Sequence, residues 1–484
     1  MTPDTAEIAV VDPRELAPAT SHEVRPRSLR GLVGGARARL AARVGHERAV
    51  ALRETWRALW VSRLLIWVAG VGAVVGFGVL SRRAAFDPPH VTSGFGWLGD
   101  LLAAPAARWD AAWYLVIAHY GYHPELGSFT AGRSAFFPLY PLVLRGASDA
   151  GLPAVLAGVL ISTTAFAVAL YGIHRLSTLE APRLVGVADP AARTCTHARG
   201  GEIARLAVLS TALAPMAFYF SAVYSESLYL ALSVGVFWSA RQGRWAWAGA
   251  LGTLASATRS AGVVLALPVA ILYFYGPRED RPPDLPARWR YAGVRYKPRG
   301  DLLWLAALPL GVVAYAAYFA LAGGDPLQPF HAQEVWERQF AGPYVAVWDG
   351  ARAAFDGARQ LLSLQREHIY FNLAGGDPFV AAEHNLVLFA FLAAALAGTV
   401  GVLRRLPLAY GAYVLAALAL PLSYPVAAQP LMSLPRFLVV LFPLFMWFGA
   451  FLQGRPRVRP VLLVASALLL AFFAGQFATW HWVA

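Results

Sequence analysis

The chain has 484 residues, of which 58% are hydrophobic and only 14% are charged. Soluble globular proteins carry roughly 25% charged residues, so this chain has too little charge to cover a water-facing surface. The same composition excludes a disordered chain, and the single cysteine, Cys195, excludes a disulfide-stapled secreted fold. The sequence therefore predicts an integral membrane protein.

The net charge of +13 comes from 41 basic residues against 28 acidic ones. A nucleic-acid-binding domain concentrates such charge in a basic patch on one folded unit. In this chain the arginines instead fall between apolar runs, where anionic lipid headgroups are their natural partners. We therefore predict membrane lipid as a partner and no nucleic acid.

Apolar runs recur along the chain from residue 59 onward, and a helix needs about 20 mostly apolar residues to cross a bilayer. Eleven runs approach that length, at 59–80, 152–174, 204–222, 227–240, 245–258, 261–276, 302–322, 385–403, 407–424, 437–453 and 460–478. The stretch 136–148 is shorter and rich in proline, so we predict a half-helix there, with a twelfth span as the alternative. The pattern predicts an all-α polytopic protein of about 11 transmembrane helices, within a range of 10 to 13.

The basic residues predict an orientation, because cytoplasmic loops are enriched in lysine and arginine. With residues 1–58 inside and eleven alternating spans, thirty basic residues face the cytoplasm and eleven face outward. Residues 1–58 would then be a largely disordered basic tail, and residues 59–478 the transmembrane domain. Its long outward segments would be 81–151 and 323–384. A twelfth span at 136–148 would invert all the later loops.

The first outward segment contains the sequence RWDAAWYLVIAHYGY at residues 108–122. At helical spacing Trp109, Trp113 and Tyr120 share an apolar stripe, and Gly121 ends the helix. Such a stripe is typical of a helix that lies in the membrane interface with its rings at headgroup depth. We therefore predict an interfacial helix in this loop.

Asp110 and Tyr114 fall on the adjoining face of the same predicted helix. A carboxylate beside tryptophans at the bilayer edge is partly desolvated, which makes it a stronger base. The alternative, which the spacing supports equally well, is an ion pair with Arg108 or a helix N-cap. The sequence leaves both interpretations of Asp110 open.

His119, His123 and Glu125 follow within the same segment. A metal site would need these side chains on one helical face, and Gly121 and Pro124 interrupt the helix between them. We therefore expect no metal here, and favour a substrate hydrogen bond or a plain interface position for His119.

Residues 133–141 read RSAFFPLYP, with Pro138 and Pro141 three apart in an apolar run. Prolines at this spacing break a helix, and irregular backbone at membrane depth is tolerated only where it is buried in protein or lines a cavity. The motif therefore predicts an aromatic wall, carrying Phe137 and Tyr140, close to the helix of Asp110.

Three further charges stand at the predicted outer ends of spans: Glu226, Arg259 and Arg436. A lone carboxylate at the mouth of a span is costly and often functional, although a favourable helix dipole explains Glu226 equally well. The arginines can bind a lipid-linked phosphate, whose oxygens fit their planar paired donors, or they can simply snorkel to the interface.

No Walker-type GxxxxGK[ST], GxGxxG after a strand, HExxH or paired CxxC motif is present in the sequence. No soluble domain is large enough to bind a nucleotide sugar or ATP. A donor used on the outer face would therefore arrive within the membrane.

The blocks RWDAAWYLVIAHYGY, RSAFFPLYP, YSESLYL, ATRSAG and SLPRFLVVLFPLF, in this order, resemble the bacterial branch of the PIG-V family. These are GPI mannosyltransferase II-like proteins of the multi-spanning GT-C glycosyltransferase superfamily. The resemblance covers roughly residues 50–460, and Trp109-Asp110 together with FFPLYP is its most specific part.

The resemblance implies a GT-C-like bundle whose first outer loop carries the key acid. It implies transfer of a sugar, usually mannose, from a polyprenyl-phosphate sugar to an acceptor hydroxyl on a glycolipid, glycan or protein. The expected location is the plasma membrane of a bacterium, with the N-terminus in the cytoplasm and the active site facing outward.

An inverting transfer of this kind needs a general base, cationic groups for the leaving phosphate, and apolar walls. We assign the base to Asp110, with Glu226 as the second carboxylate, and the phosphate to Arg259, Arg436 and Arg133. The predicted substrate contacts are Trp109, Trp113, Tyr114, His119, Tyr122, Phe137, Tyr140 and Tyr224. We expect no cofactor and no metal, because a lipid phosphate carries less charge than a nucleotide diphosphate.

The alternative function is a polytopic lipid or glycolipid transporter or flippase. Such a protein carries ionisable residues along a path through the mid-membrane, whereas the candidates here cluster at one predicted interface. A membrane scaffold would carry them by coincidence. A transferase is expected to bring Asp110 and Glu226 to one cavity that Arg259 or Arg436 also lines.

Overall fold

The computed structural model describes residues 45–80, 91–186, 193–284, 293–370 and 376–483. These residues are almost entirely helical, and across these ranges the pairing of extended backbone is limited to isolated antiparallel bridges. The prediction of an all-α protein is confirmed. The predicted disordered tail lies outside the described residues as far as residue 44.

The chain divides into two units, Met1–Val50 and Ala51–Ala484. Of the first unit the structure describes residues 45–50, where the first helix begins at His46. This helix therefore starts well before the predicted span at residue 59. Its extra turns bury Ala51, Thr55 and Ala58 at helical spacing, so packing extends the helix beyond its apolar run.

Helices make up the described chain in the following order. The first nine are α1 (His46–Phe77), α2 (Trp97–Leu102), α3 (Ala111–Tyr120), α4 (Leu139–Asp149), α5 (Ala154–Leu179), α6 (Ala181–Val185), α7 (Arg193–Ala212), α8 (Glu226–Arg241) and α9 (Trp245–Thr258). The next nine are α10 (Ala266–Tyr275), α11 (Leu310–Leu321), α12 (Gln328–His331), α13 (Pro343–Ser363), α14 (Pro378–Arg405), α15 (Leu408–Leu422), α16 (Leu434–Leu438), α17 (Phe442–Gln453) and α18 (Arg459–Ala478). Short 3₁₀ turns connect them at Ala104–Ala106, Pro124–Ala135, Ala217–Phe220, Ser260–Leu265, Gly300–Ala307 and Ala332–Trp336.

Four of these helices, α1, α5, α14 and α18, are long and apolar enough to cross a membrane. A fifth span results if Gly300–Ala307 and α11, which meet at a bend of 49°, are counted together. The protein therefore has the apolar helices of a membrane protein, but the predicted number of eleven full-length spans is not confirmed. Shorter apolar helices occupy several of the other predicted runs.

Proline explains much of this difference. The run 204–222 contains Pro215, and α7 ends at Ala212 before a separate 3₁₀ turn. The run 302–322 bends beside Pro309, which precedes α11. Proline removes a helical hydrogen bond and clashes with the preceding turn. An apolar run that is long enough to cross a membrane is therefore divided into two helical elements.

The stretch 136–148 forms the 11-residue helix α4, preceded by extended backbone at Phe136. At 11 residues, α4 is shorter than the roughly 20 residues that a span requires, in agreement with the predicted half-helix. α4 packs against α3 and α5, and its buried side includes Tyr140 and Leu144.

Helix α8 lies at the centre of the fold, packed against α5 and α9 and buried on most of its surface. The turn that leads into it approaches α5 closely at Gly158. A Cβ atom at this glycine would lie 2.6 Å from Val223, so only glycine allows the turn to take this position. This contact fixes the start of α8, where Glu226 stands.

Candidate active site

A cavity of about 310 Å³ lies between the N-terminal ends of α3 and α8, the end of α9, α15 and the short helix α16. Four of its lining residues are charged: Asp110, Arg259, Arg338 and Arg436. The rest of the lining is largely apolar and aromatic. This size, with a mostly apolar lining and a few charged groups, is typical of a ligand-binding pocket.

Asp110 occupies the N-cap position of α3, but its side chain makes no capping hydrogen bond. Its Oδ2 instead accepts a hydrogen bond from Nη1 of Arg436 at 2.5 Å. Arg108 contacts a different part of the chain, donating from Nε to the carbonyl of Ala478 at 3.0 Å. Neither alternative from the sequence therefore explains the position of the Asp110 side chain, which remains 23% exposed in the cavity.

The Tyr224 side chain fixes the backbone at Asp110. Its hydroxyl accepts a hydrogen bond from the Asp110 backbone N–H at 3.0 Å and donates to the carbonyl of Arg108 at 3.0 Å. Trp109 between them adopts a left-handed conformation with φ of 55°. This backbone is unfavourable for a bulky residue, so the tyrosine bridge helps to keep it in place.

Glu226 is the first residue of α8 and is fully buried. Its Oε1 accepts hydrogen bonds from Arg259 at 2.6 Å and from Nε of Arg436. Its Oε2 has no hydrogen-bond partner within the described chain. Glu226 thus lies behind the cavity lining and orients two of its arginines.

Arg436 lies in α16 and connects the two predicted catalytic carboxylates, Glu226 through Nε and Asp110 through Nη1. Its guanidinium also lies 4.7 Å from the ring centre of Tyr224. Arg259 adopts extended backbone at the end of α9 and lies 5.3 Å from the ring of Phe437. Both arginines are largely buried and ion-paired, so they do not snorkel to a surface.

Residues 136–138 form the predicted irregular wall, and Phe136 and Phe137 line the cavity. The carbonyl of Phe136 accepts hydrogen bonds from the hydroxyls of Tyr122 at 2.7 Å and Tyr315 at 3.4 Å. Tyrosines therefore satisfy the backbone that the broken helix leaves unpaired.

Tyr114 also lines the cavity, and its hydroxyl hydrogen-bonds to Ser225 Oγ at 2.8 Å, next to Glu226. Burial raises the pKa of Tyr114, and the negative charge of Glu226 adds to this, against an opposing effect of Arg436. The phenol therefore stays protonated at neutral pH. Trp113 packs behind the wall, stacked on Phe136 with ring centres 5.7 Å apart.

The helix of Asp110 is present and ends at Gly121, as predicted. It is buried over most of its length, with His119 and Tyr120 exposed at its end. The predicted apolar stripe of Trp109, Trp113 and Tyr120 is therefore not the one buried face of α3, because neighbouring elements cover this helix on several sides. Trp109 packs against Trp482, with ring centres 5.0 Å apart.

Eight residues predicted for the site do not line the cavity: Trp109, Trp113, His119, Tyr122, Arg133, Tyr140, Tyr224 and Glu226. Tyr122 and Tyr140 are buried and bonded to backbone carbonyls of Phe136 and Gly158. Arg133 donates to the carbonyl of Gly121 at 3.0 Å, and His119 is exposed beside Tyr120.

Several residues of the cavity lining are not predicted from the sequence, among them Arg338, Gln333, Trp336 and Trp482. The first three come from the outer segment 323–384, where no apolar run or motif marks them. Arg338 is one of the eleven basic residues predicted to face outward, and its place in the cavity lining depends on contacts with Tyr424 and Met432, which are far away in sequence.

The mannosyltransferase (PIG-V) family model matches residues 82–272. We refer to this matched segment, which is less than half of the chain and is similar to that family, as the PIG-V region. The family resemblance predicted from the sequence is confirmed over this part of the chain. The PIG-V region includes Asp110 and Arg259 of the cavity lining and Glu226 behind it, whereas Arg338 and Arg436 lie beyond the region.

A curated relative of the PIG-V region is GPI alpha-1,6-mannosyltransferase 2 of Rattus norvegicus, 31% identical over 184 residues. The match covers 37% of this chain and 34% of the rat protein, so the chain spans about a third of this relative. Two oligosaccharyltransferase structures from Archaeoglobus fulgidus show weaker likeness, each over 88% of this chain and 55% of theirs. One, tethered to an acceptor peptide containing the NVT sequon, has 13% identity and a TM-score of 0.39. The other, AglB with an inhibitory peptide and a dolichol-phosphate, has 16% identity and a TM-score of 0.34.

Proposed function

We propose that the chain is an integral-membrane glycosyltransferase that moves a sugar, mannose by its family, from a polyprenyl-phosphate sugar to an acceptor hydroxyl. One observation carries this proposal. Within a chain that contains a PIG-V region, Asp110 reaches a cavity in which arginines and apolar side chains meet. The acceptor would be a glycolipid, a glycan or a protein.

Asp110 is the better candidate for the general base. Its carboxylate faces the cavity, whereas Glu226 is enclosed behind Arg259 and Arg436. A base must come within about 3 Å of the proton that it accepts. Glu226 instead fixes the two arginines, and through Arg436 it fixes Asp110.

The reaction is a single displacement at the anomeric carbon. The acceptor oxygen forms a bond to this carbon while the bond from the carbon to the phosphate oxygen breaks. The acceptor proton passes to Asp110, and polyprenyl phosphate leaves with the bonding electron pair. Arg436 and Arg259 stabilise the charge that develops on the phosphate.

Apolar residues complete the environment that such a transfer needs. Phe136, Phe137, Trp336 and Phe437 line the cavity and would keep water from taking the sugar. The same residues offer an apolar path for the isoprenoid chain. We place the cavity on the outward side of a bacterial plasma membrane, in line with the distribution of the basic residues.

We also propose that the reaction needs no metal. Within the described chain no three His, Cys, Asp or Glu side chains come together as a metal site. Both cavity carboxylates are already paired with arginines, which supply the positive charge that a metal would otherwise bring.

The test offers radiolabelled polyprenyl-phosphate mannose to membranes with and without the protein. We expect label in the acceptor fraction only when the protein is present, and the same amount in excess EDTA. Label that crosses the membrane while still on its carrier would identify a flippase and overturn the proposal. Loss of transfer in EDTA, restored by a divalent cation, would overturn only the metal-free mechanism.

A further inference from the structure

Arg338 is the charged residue of the cavity that the function proposed above leaves without a role. It follows the 3₁₀ turn Ala332–Trp336 and lies in the loop before α13. Its backbone pairs with Val426 in an isolated antiparallel bridge. Its guanidinium donates from Nη1 to the carbonyl of Tyr424 at 3.3 Å and from Nη2 to the carbonyl of Met432 at 3.1 Å.

The three arginines of the cavity differ in their partners. Arg259 and Arg436 each form an ion pair with Glu226, and Arg436 also pairs with Asp110. The hydrogen bonds of Arg338, within the part of the chain that the structure describes, go to two neutral carbonyls. Three arginines and two carboxylates leave one positive charge in excess, and Arg338 carries it.

This charge lies in an unfavourable environment. Burial, together with the nearby Arg436, lowers the pKa of Arg338 to about 10, against an opposing effect of Asp110. Arg338 is therefore still protonated at neutral pH. A partly buried cation without a counter-ion costs free energy that a bound anion can recover.

We propose that Arg338 binds the phosphate of the lipid-linked donor. A sugar joined to a polyprenyl chain through phosphate is a phosphodiester with a single negative charge, equal to the excess charge of the cavity. A guanidinium has five N–H groups, so the two bonds to carbonyls leave donors for phosphate oxygens. The bonds to Tyr424 and Met432 keep the guanidinium in a fixed orientation toward the cavity.

This inference rests on the proposed function, and it assigns different roles to the three arginines of the cavity. Arg436 is paired with Asp110, the proposed base, and both Arg436 and Arg259 are paired with Glu226, which fixes their orientation. Arg338 supplies the charge that attracts the donor, and after transfer it faces a phosphate monoester of higher charge. We therefore expect changes at Arg338 to weaken lipid phosphate binding more than the rate of the bound complex.

The experiment measures the thermal midpoint of the purified protein in detergent, with polyprenyl phosphate or uncharged polyprenol of the same length. A ligand that binds the native state raises the midpoint with its concentration. The variants are Arg338→Gln, Arg338→Lys and, as a control, Arg352→Gln, an exposed arginine of α13 outside the cavity. We expect polyprenyl phosphate alone to stabilise the wild type, with at least tenfold weaker affinity in Arg338→Gln. Arg338→Lys is expected to keep part of the affinity, and Arg352→Gln all of it.

The possible failures are distinguishable. If polyprenyl phosphate does not stabilise the wild type, the donor class of the proposed function is wrong, and the role of Arg338 is wrong with it. If the wild type and Arg338→Gln bind equally well, only the role of Arg338 is wrong. If Arg338→Gln and Arg338→Lys lose affinity equally and both melt lower without ligand, Arg338 serves only to fix the loop of Tyr424 and Met432.

Discussion

Helix α8 has a cluster of paired acids and arginines at each end. At its N-terminal end the cavity cluster consists of Asp110, Glu226, Arg259 and Arg436. At its C-terminal end the closed cluster consists of Glu180, Arg183, Arg241, Glu279 and Tyr410. In both, a fully buried glutamate accepts hydrogen bonds from two arginines.

The clusters differ in how completely their polar atoms are satisfied. Glu180 uses both oxygens: Oε1 accepts from Arg241 at 2.6 Å and from Tyr410 at 3.2 Å, and Oε2 accepts from Arg183 at 3.0 Å. Arg241 also donates to the carbonyl of Pro277 at 2.9 Å. Glu226, in contrast, leaves Oε2 without a partner in the described chain.

Burial and ion pairing therefore do not by themselves indicate an active site. A buried ion pair contributes little net stability, yet breaking it is costly, which suffices to explain the closed cluster as a structural element. The cavity cluster differs because Asp110 and both arginines reach a cavity that a substrate can enter. Arg183 and Glu279 of the closed cluster are about half exposed but do not line this cavity, so position at the cavity, rather than the presence of ion pairs, distinguishes the two ends of α8.

The largest expected effect is at Asp110. The change Asp110→Asn removes the proposed base while keeping the shape of the side chain, so we expect transfer to fall by about 10²- to 10⁴-fold. Initial rates with polyprenyl-phosphate mannose measure this loss. Asp149→Asn, the same change at an exposed position at the end of α4, is the matched control and should leave the rate unchanged.

Equal rates for Asp110→Asn and the wild type would remove the base from this position. Glu226 would then be the remaining carboxylate of the cavity cluster. A lower rate that accompanies a lower thermal midpoint would indicate that the amide disturbs the bond to Arg436. The variant Asp110→Glu, which keeps the charge but lengthens the side chain, would then show whether the charge or the shape of the side chain is required.

The next effect concerns stability at the closed cluster. Glu180→Gln leaves Arg241 buried without its main counter-ion, so we expect a loss of about 3–5 kcal/mol in the free energy of unfolding. The thermal midpoint in detergent reports this loss. The transfer rate per folded molecule should stay within about a factor of two of the wild type.

A large fall in the rate per folded molecule for Glu180→Gln would contradict the distinction drawn between the two ends of α8. It would show that the closed cluster takes part in catalysis, through α8 itself. The same substitution at Glu226 should lower both the rate and the midpoint, because this glutamate orients two cavity arginines.

Glu226, Arg259 and Arg436 were predictable as site residues for a simple physical reason. A charge at the end of an apolar run must be compensated, and few partners are available there. These three charges therefore pair with each other and with Asp110, which lies in the predicted interfacial helix. Arg338 escaped the same reasoning because it lies in a polar segment, where a charge needs no explanation.

The sequence predicts that the apolar runs form helices, but it does not predict how long each helix is. Apolar runs correctly marked α5, α14 and α18, each of which is one uninterrupted helix. Hydropathy does not reveal how a proline such as Pro215 divides a run, nor that tyrosine hydroxyls such as that of Tyr122 satisfy the broken backbone. These features depend on neighbours that are distant in sequence.

A smaller effect is expected at Arg436. The change Arg436→Lys keeps the charge, but an ammonium group cannot donate to Glu226 and Asp110 in the fixed geometry of a guanidinium. We expect the donor KM to rise about tenfold, equivalent to about 1.4 kcal/mol, and the acceptor KM to rise less. Rates measured with one substrate varied at a time give both constants. If only kcat falls, Arg436 positions Asp110 and does not contact the donor phosphate.

The smallest effect is expected at His119, which is close to Asp110 in sequence but exposed and absent from the cavity lining. Surface substitutions change free energies by about 0.5 kcal/mol or less, so the rate for His119→Ala should stay within about a factor of two.

The matched comparison is Tyr114→Phe, on the same helix but inside the cavity. This variant loses the hydrogen bond to Ser225, which should cost about 1 kcal/mol and lower the rate roughly fivefold. A greater loss at His119 than at Tyr114 would mean that the acceptor approaches along the exposed end of α3, and the site would then extend beyond the cavity cluster.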